Sequence, residues 1–122
     1  MYVETREWSH YGLKIKTLVT GSAVSLVWSG ISEMRNPETV LTPFFNDLLK
    51  TLTGKSLIID FRAFEFMSSA THAPILQFIK SLSQNQIQTR VIYNNSLEWQ
   101  RVSFRCMKVL FRSMQQIQFE CL

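Results

Sequence analysis

The sequence predicts an α/β fold in which a β-hairpin opens a mixed sheet and helices then alternate with mostly parallel strands. Three observations predict it. Leu13-Lys14-Ile15-Lys16 and Val24-Ser25-Leu26-Val27-Trp28 alternate apolar and polar residues with the period of a half-exposed strand. Leu57-Ile58-Ile59 is a continuous apolar run bounded by polar residues, which is how a strand covered on both faces reads. Between and after these runs apolar residues recur at helical spacing, and strands joined through a helix lie parallel by right-handed crossovers.

Composition sets the class. At 122 residues, 46% hydrophobic and 18% charged, the chain is expected to be one globular domain over residues 1–122. No apolar run approaches the roughly 18–20 residues of a membrane span, and the N-terminus lacks the layout of a signal peptide. Cys106 and Cys121 show no metal-ligand or redox spacing, so no metal and no cofactor is expected, and a cytoplasmic location is. A net charge of +4 suits an acidic partner but is too small for a dedicated nucleic-acid footprint.

Taken in order, residues 1–11 are mixed and aperiodic and read as a loosely attached arm. Thr20-Gly21-Ser22 supplies the turn between the two alternating runs, completing the hairpin. Asn36-Pro37-Glu38 either turns the chain or caps a helix, and Thr42-Pro43 offers a second start. Phe44, Phe45, Leu48, Leu49 and Leu52 then share a helical face, and Gly54 closes the element. The central strand at 56–61 ends near Asp60. Ile75, Leu76, Ile79 and Leu82 predict a helix over 71–84, with Pro74 placing its start near Thr71, since proline is tolerated in a first turn. Thr89-Arg90-Val91-Ile92-Tyr93 is the next strand. Asn95 and Glu98 resemble a capping box for a helix that runs to about Ser113, and residues 117–120 close the sheet.

The chemistry-bearing residues stand at the exit of the central strand. Ser68 and Ser69 precede a helical pattern, where unpaired backbone N–H groups suit an anion or need a cap. His72 with Asp60 invites comparison with a Ser-His-Asp triad, but no Gly-x-Ser-x-Gly elbow and no oxyanion hole accompany them, so a minor serine hydrolase is a remote alternative. In the last helix Arg101, Arg105, Lys108 and Arg112 are spaced four, three and four apart and form one basic stripe. Trp99, Val102, Cys106, Val109 and Leu110 gather on another face, expected to be core, with Phe104, Met107 and Phe111 on a third side. The stripe is either a solvated face or a docking face for an acidic partner; without stacking or base-reading motifs, nucleic acid is disfavoured.

The strand ending in Asp60, the segment Phe66-Met67-Ser68-Ser69 and the amphipathic helix after it resemble a STAS domain, the fold of anti-sigma factor antagonists, over about residues 12–120. The segment Asn95-Ser96-Leu97-Glu98-Trp99-Gln100 is similar to that of cyanobacterial STAS-like partner-switch regulators. The family motif is Asp-Ser-Ser-Gly, whose first serine a partner kinase phosphorylates. In register with it Ser68 takes the acidic position, Ser69 the phosphorylated one, Ala70 the second serine and Thr71 the glycine.

The resemblance implies a non-enzymatic signalling module whose partners are an anti-sigma-type serine kinase and its cognate phosphatase. Ser69 is the phosphorylation candidate, ahead of Ser68 and Thr71. Ser68, Ser69, Thr71 and His72 form the partner-binding rim. A scaffold or ligand-sensing domain that docks through the basic helix, without phosphorylation, is the alternative. STAS domains usually carry a further C-terminal helix that these 122 residues do not contain. Part of one sheet face is therefore expected to be covered by the arm, through Trp8 and Tyr11, or by a second copy in a homodimer.

Overall fold

The structure, a computed structural model, describes residues 3–122. Residues 1 and 2 of the expected arm lie outside the described residues. The elements are β1 (Val3–His10), β2 (Leu13–Thr20), β3 (Ala23–Ser32), α1 (Glu38–Leu49), β4 (Ser56–Met67), α2 (Ser69–Gln84), β5 (Thr89–Tyr93), α3 (Glu98–Leu110) and β6 (Ile117–Cys121). The strands lie side by side in sequence order. β1, β2 and β3 are antiparallel neighbours, and β3, β4, β5 and β6 are parallel. The hairpin and the parallel strands are as expected.

The front of the chain is not. The expected arm is a strand, with β1 pairing along all of β2 from Val3↔Thr20 to His10↔Leu13. Its composition hid it because it is an edge strand. Glu4, Arg6, Trp8 and His10 point to the helix side and Thr5, Glu7 and Ser9 to the other, so neither face is consistently apolar. Backbone pairing holds it, and the Trp8 ring packs on Phe44 of α1 with centroids 5.3 Å apart. Tyr11 covers nothing, being 87% exposed in the tight turn to β2.

Each crossover from β3 onward steps one strand in the same direction, so right-handed connections put all three helices on one face. The core confirms this. Trp28 of β3 meets Phe45 of α1, Phe45 stacks on Phe78 of α2, and Phe61 of β4 stacks on Phe104 of α3. The central strand is therefore not covered on both sides: Leu57, Ile59 and Phe61 are buried beneath the helices, while Ile58 is half-buried on the open face. That face is laced with cross-strand pairs instead, Lys14 with Glu7 at 3.5 Å and Arg90 with Glu120 at 2.7 Å.

β4 also runs past its expected end at Phe61 to Met67. It pairs with β5 only over Leu57–Asp60 but with β3 as far as Met67, through two register shifts. One shift sits at Gly30, whose φ is +81° and where a Cβ would fall 2.0 Å from the Gly12 carbonyl oxygen. Only glycine fits there.

α1 begins at the first of its two offered starts, and α2 begins earlier than the placement of Pro74 suggested. α1 starts at Glu38, and the Asn36-Pro37 pair opens it, with Asn36 O accepting from Thr39 N at 3.2 Å. Pro43 lies inside α1 and Pro74 inside α2. Each forgoes one hydrogen bond to the residue four positions back, a loss offset by burying Leu41 and Phe45 in the first case and Ile75, Phe78 and Ile79 in the second. Ser69 therefore belongs to α2.

Candidate functional site

The start of α2 is built by hydroxyl groups. Ser68 N donates to Ser32 O at 2.7 Å, fastening the end of β4 to the end of β3. The Ser68 hydroxyl donates to Met34 O at 3.0 Å, and a second contact of 2.8 Å joins it to Thr71 Oγ1, which lies 2.8 Å from Ser32 Oγ. A carbonyl only accepts, so the protons must run in one direction, from Ser32 to Thr71 to Ser68 to Met34. Ser32 and Thr71 are fully buried. This chain replaces the usual cap, since Ser68 makes no side-chain bond to the helix N–H groups.

The expected rim therefore divides. Thr71 is inside the protein and cannot meet a partner, and the Ser68 oxygen is occupied by structural bonds. Ser69 is the first helical residue and is exposed. No acidic residue shares its turn, and it stands at the positive end of the helix dipole. The geometry leaves Ser69 as the accessible hydroxyl of the three.

His72 is half-buried, and its Nε2 lies 3.1 Å from Ser103 Oγ of α3, joining α2 to α3 about one helical turn on from Ser69. No triad forms with Asp60. That carboxylate stands on the helix-free face, where it accepts from Arg62 N at 3.0 Å and from the Arg62 guanidinium at 3.0 and 2.8 Å. Partial burial pushes its pKa up, but the hydrogen bonds and charge of Arg62 outweigh that and hold it below the usual carboxylate value. The sheet separates Asp60 from His72, so the hydrolase arrangement is not assembled.

The face assigned to the core in α3 is corrected. Gln100, Phe104, Met107 and Phe111 are buried, whereas Val102 is 55%, Val109 59% and Leu110 64% exposed, and Cys106 is exposed. Larger side chains won the interior: Phe104 stacks on Phe61 and Tyr93, and Phe111 on Phe119. Trp99 is an intermediate case, half-buried with its edge on Phe64 and its indole N–H donating to Glu65 O at 2.7 Å. Nor does Asn95 cap the helix; Asn94 Oδ1 accepts from Ser96 N at 2.9 Å, and Leu97 is the N-cap.

Sequence reasoning missed Gln100 altogether. Its Nε2 donates to Phe61 O at 2.6 Å and Phe64 O at 2.8 Å, and its Oε1 accepts from Asn94 N at 2.7 Å. These β4 carbonyls lie beyond the last β5 pairing at Asp60, so the amide does the work of an absent strand. A glutamine four residues before Phe104 and seven before Met107, on the same helical face, was the one available signal.

At about 100° per residue, Ser103, which meets α2, lies to one side of the buried Phe104, and Arg101, Arg105, Lys108 and Arg112 lie to the other. Val102, Cys106, Val109 and Leu110 run between them along the outward side. The apolar stripe thus lies between two borders, Leu110 and Cys106 toward the α2 side marked by Ser103, and the valines toward the basic stripe, which is on the side of α3 away from α2. Tyr93 agrees with this placement: burial raises its phenol pKa, the adjacent Cys121 adds to the rise, and Arg105 opposes it. Arg105, Lys108 and Arg112 are exposed and Arg101 half-buried, and among the described residues none of the four joins an ion pair.

Elsewhere a groove of about 480 Å³ separates α1 from the first hairpin, floored by Val19, Val24 and Leu48 and rimmed by the paired Glu4 and Arg6 with Lys55. Among the described residues no His, Cys, Asp or Glu cluster could hold a metal ion, and no helix is long and apolar enough to cross a membrane.

No protein-family model matches the chain, and no curated protein matches it. Among solved structures it is similar to the crystal structure of an anti-sigma factor antagonist from Mycobacterium paratuberculosis. The TM-score is 0.55 at 13% sequence identity, covering 96% of this chain and 86% of that one. At this identity the likeness is one of fold, and the fold is STAS-like, as the sequence resemblance implied.

Proposed function

We propose that the protein is a non-enzymatic interaction module of a partner switch, in which phosphorylation of Ser69 controls docking on the surface formed by the start of α2 and the outward side of α3. The observation that carries this reading is the exposed Ser69 hydroxyl at the first position of α2, together with a stripe of exposed valine and leucine on α3, the helix that His72 joins to α2. An apolar stripe on a small protein marks a place another surface covers.

The switch follows from charge. A phosphoserine carries about −1.5 to −2 at neutral pH. At a helix start the free N–H groups and the dipole tolerate that charge, so the fold is retained. A partner seated on Val102 and Val109 would have to desolvate it. A loss of about 3 kcal/mol on that account weakens a complex by roughly a hundredfold, since about 1.4 kcal/mol is tenfold. The Mycobacterium structure, that of an anti-sigma factor antagonist, supports looking for an anti-sigma-type serine kinase as the partner and a cognate phosphatase as its counterpart.

The test is affinity for such a kinase from the same genome. Ser69→Ala should bind as the unmodified protein does, and Ser69→Glu and Val109→Asp should each bind at least tenfold more weakly with folding unchanged. Equal binding by all three variants would remove this surface from the account.

A further inference from the structure

The β6 edge and the basic stripe of α3 form a second surface, independent of Ser69. Gln116 O accepts from Thr89 N at 2.8 Å, and Leu122 N donates to Tyr93 O at 3.1 Å, so the even-numbered residues of β6 turn their backbone groups toward β5. The N–H and C=O groups of Phe119 and Cys121 must then point the other way, where β6 has no strand neighbour among the described residues.

The two edges of the sheet differ. On β1, Glu4 and Arg6 put paired charges on the helix side, an arrangement that discourages strand addition. β6 has no such guard. Its helix-side residues Ile117 and Phe119 are buried and apolar, and its carboxylate, Glu120, is on the opposite face and bound to Arg90. Arg105 of α3 lies close enough to the Tyr93–Cys121 end of this edge to act on the phenol, and Arg101, Lys108 and Arg112 share its side of the helix, away from α2.

We infer that the β6 edge accepts an extended acidic segment of a partner protein as an added strand, with the alternate side chains on its helix side paired with Arg105, Lys108 and Arg112. Backbone bonds to Phe119 and Cys121 would supply the docking and the cations the selectivity. A second copy of the chain fits poorly, because two β6 edges meeting about a twofold axis would bring two sets of unpaired cations together with no carboxylate between them.

The probe is the peptide acetyl-(Val-Glu)4-amide, titrated into the isotopically labelled full chain and followed by amide shifts and by anisotropy of a labelled copy. Shifts are expected at Phe119 and Cys121, with affinity falling as salt rises. Acetyl-(Pro-Glu)4-amide has the same charge but cannot form a strand, and should bind at least tenfold more weakly; so should the Val-Glu peptide to the Arg105→Glu, Arg112→Glu double variant. Ser69→Glu should leave the affinity unchanged, which separates this surface from the one proposed above. Equal binding of the two peptides, or no shift at Phe119 and Cys121 up to about 1 mM peptide, overturns the inference. So does preferential binding of a thymidine oligonucleotide with shifts confined to α3, which would make the stripe a nucleic-acid contact.

Discussion

Replacing Gln100 by leucine removes three hydrogen bonds at once and leaves three backbone groups without partners: Phe61 O, Phe64 O and Asn94 N. Leucine is close in volume, so packing against Phe104 changes little and the loss is mostly polar. A buried group left unsatisfied costs about 1–3 kcal/mol. Three of them at the low end, discounted because a relaxed β4 tail can admit water, come to about 3 kcal/mol, a large part of the roughly 5–15 kcal/mol that holds a domain together. For a chain of this size that is a fall in Tm of roughly 10 °C. Urea unfolding followed by tryptophan fluorescence and by far-UV circular dichroism measures it, and the two probes should agree. Gln100→Glu should be worse near neutral pH, because a carboxylate cannot donate to the two carbonyls and its charge would be buried. The deficit should shrink on acidification as the carboxyl regains a proton to donate. A loss below 1 kcal/mol for the leucine variant, with an unchanged denaturant slope, would refute the idea that this amide substitutes for a strand.

Other perturbations read other parts of the structure. Thr71→Val breaks the buried hydroxyl chain and should cost about 1–2 kcal/mol, whereas Ser69→Ala, two residues away but exposed, should stay within about 0.5 kcal/mol; denaturant titration of both separates the structural hydroxyl cluster from the candidate switch. Gly30→Ala combines a positive φ with a Cβ 2.0 Å from Gly12 O and should lower stability by at least about 2 kcal/mol, seen as a reduced urea midpoint or loss of soluble protein. The folded-state pKa of Asp60 is depressed, so its pair with Arg62 contributes stability above the unfolded value near 3.8, and that contribution is lost as pH falls through the lower folded value. Carbon-detected NMR titration of the Asp60 carboxyl should place its midpoint below 3.8, and Arg62→Ala should move it upward.

The elements that the sequence revealed are those whose side chains answer to one environment. Val24, Leu26 and Trp28 face the helices on every alternate residue, and Ile75, Ile79 and Leu82 keep one helical face, so period alone identified them. β1 escaped because an edge strand is held by its backbone, and Glu4 and Arg6 occupy positions that in a central strand would be apolar. The start of α2 was misplaced because Pro74 is tolerated at the expense of one hydrogen bond, offset by a tertiary gain that no local rule registers; for the same reason Pro43 left two starts open for α1, of which the Asn36-Pro37 one is used. In α3, counting apolar residues favoured the Val102–Val109 side, while volume decided the outcome in favour of Phe104, Met107 and Phe111. That same inversion is what leaves valines and a leucine on the surface. Of the candidate site, Ser69 could be named from the motif register. The inward roles of Ser68 and Thr71 depended on Ser32 and Met34, more than thirty residues away in sequence, and could not be read locally.

The central claim is that Ser69 is the hydroxyl another protein modifies and senses. Intact-mass measurement after incubation with an anti-sigma-type serine kinase and ATP tests it most directly. The account predicts uptake of a single phosphate by the wild-type chain and by Ser68→Ala, and none by Ser69→Ala. A phosphate that persists in Ser69→Ala, or a wild-type chain that takes up none from a kinase that binds it, would contradict it.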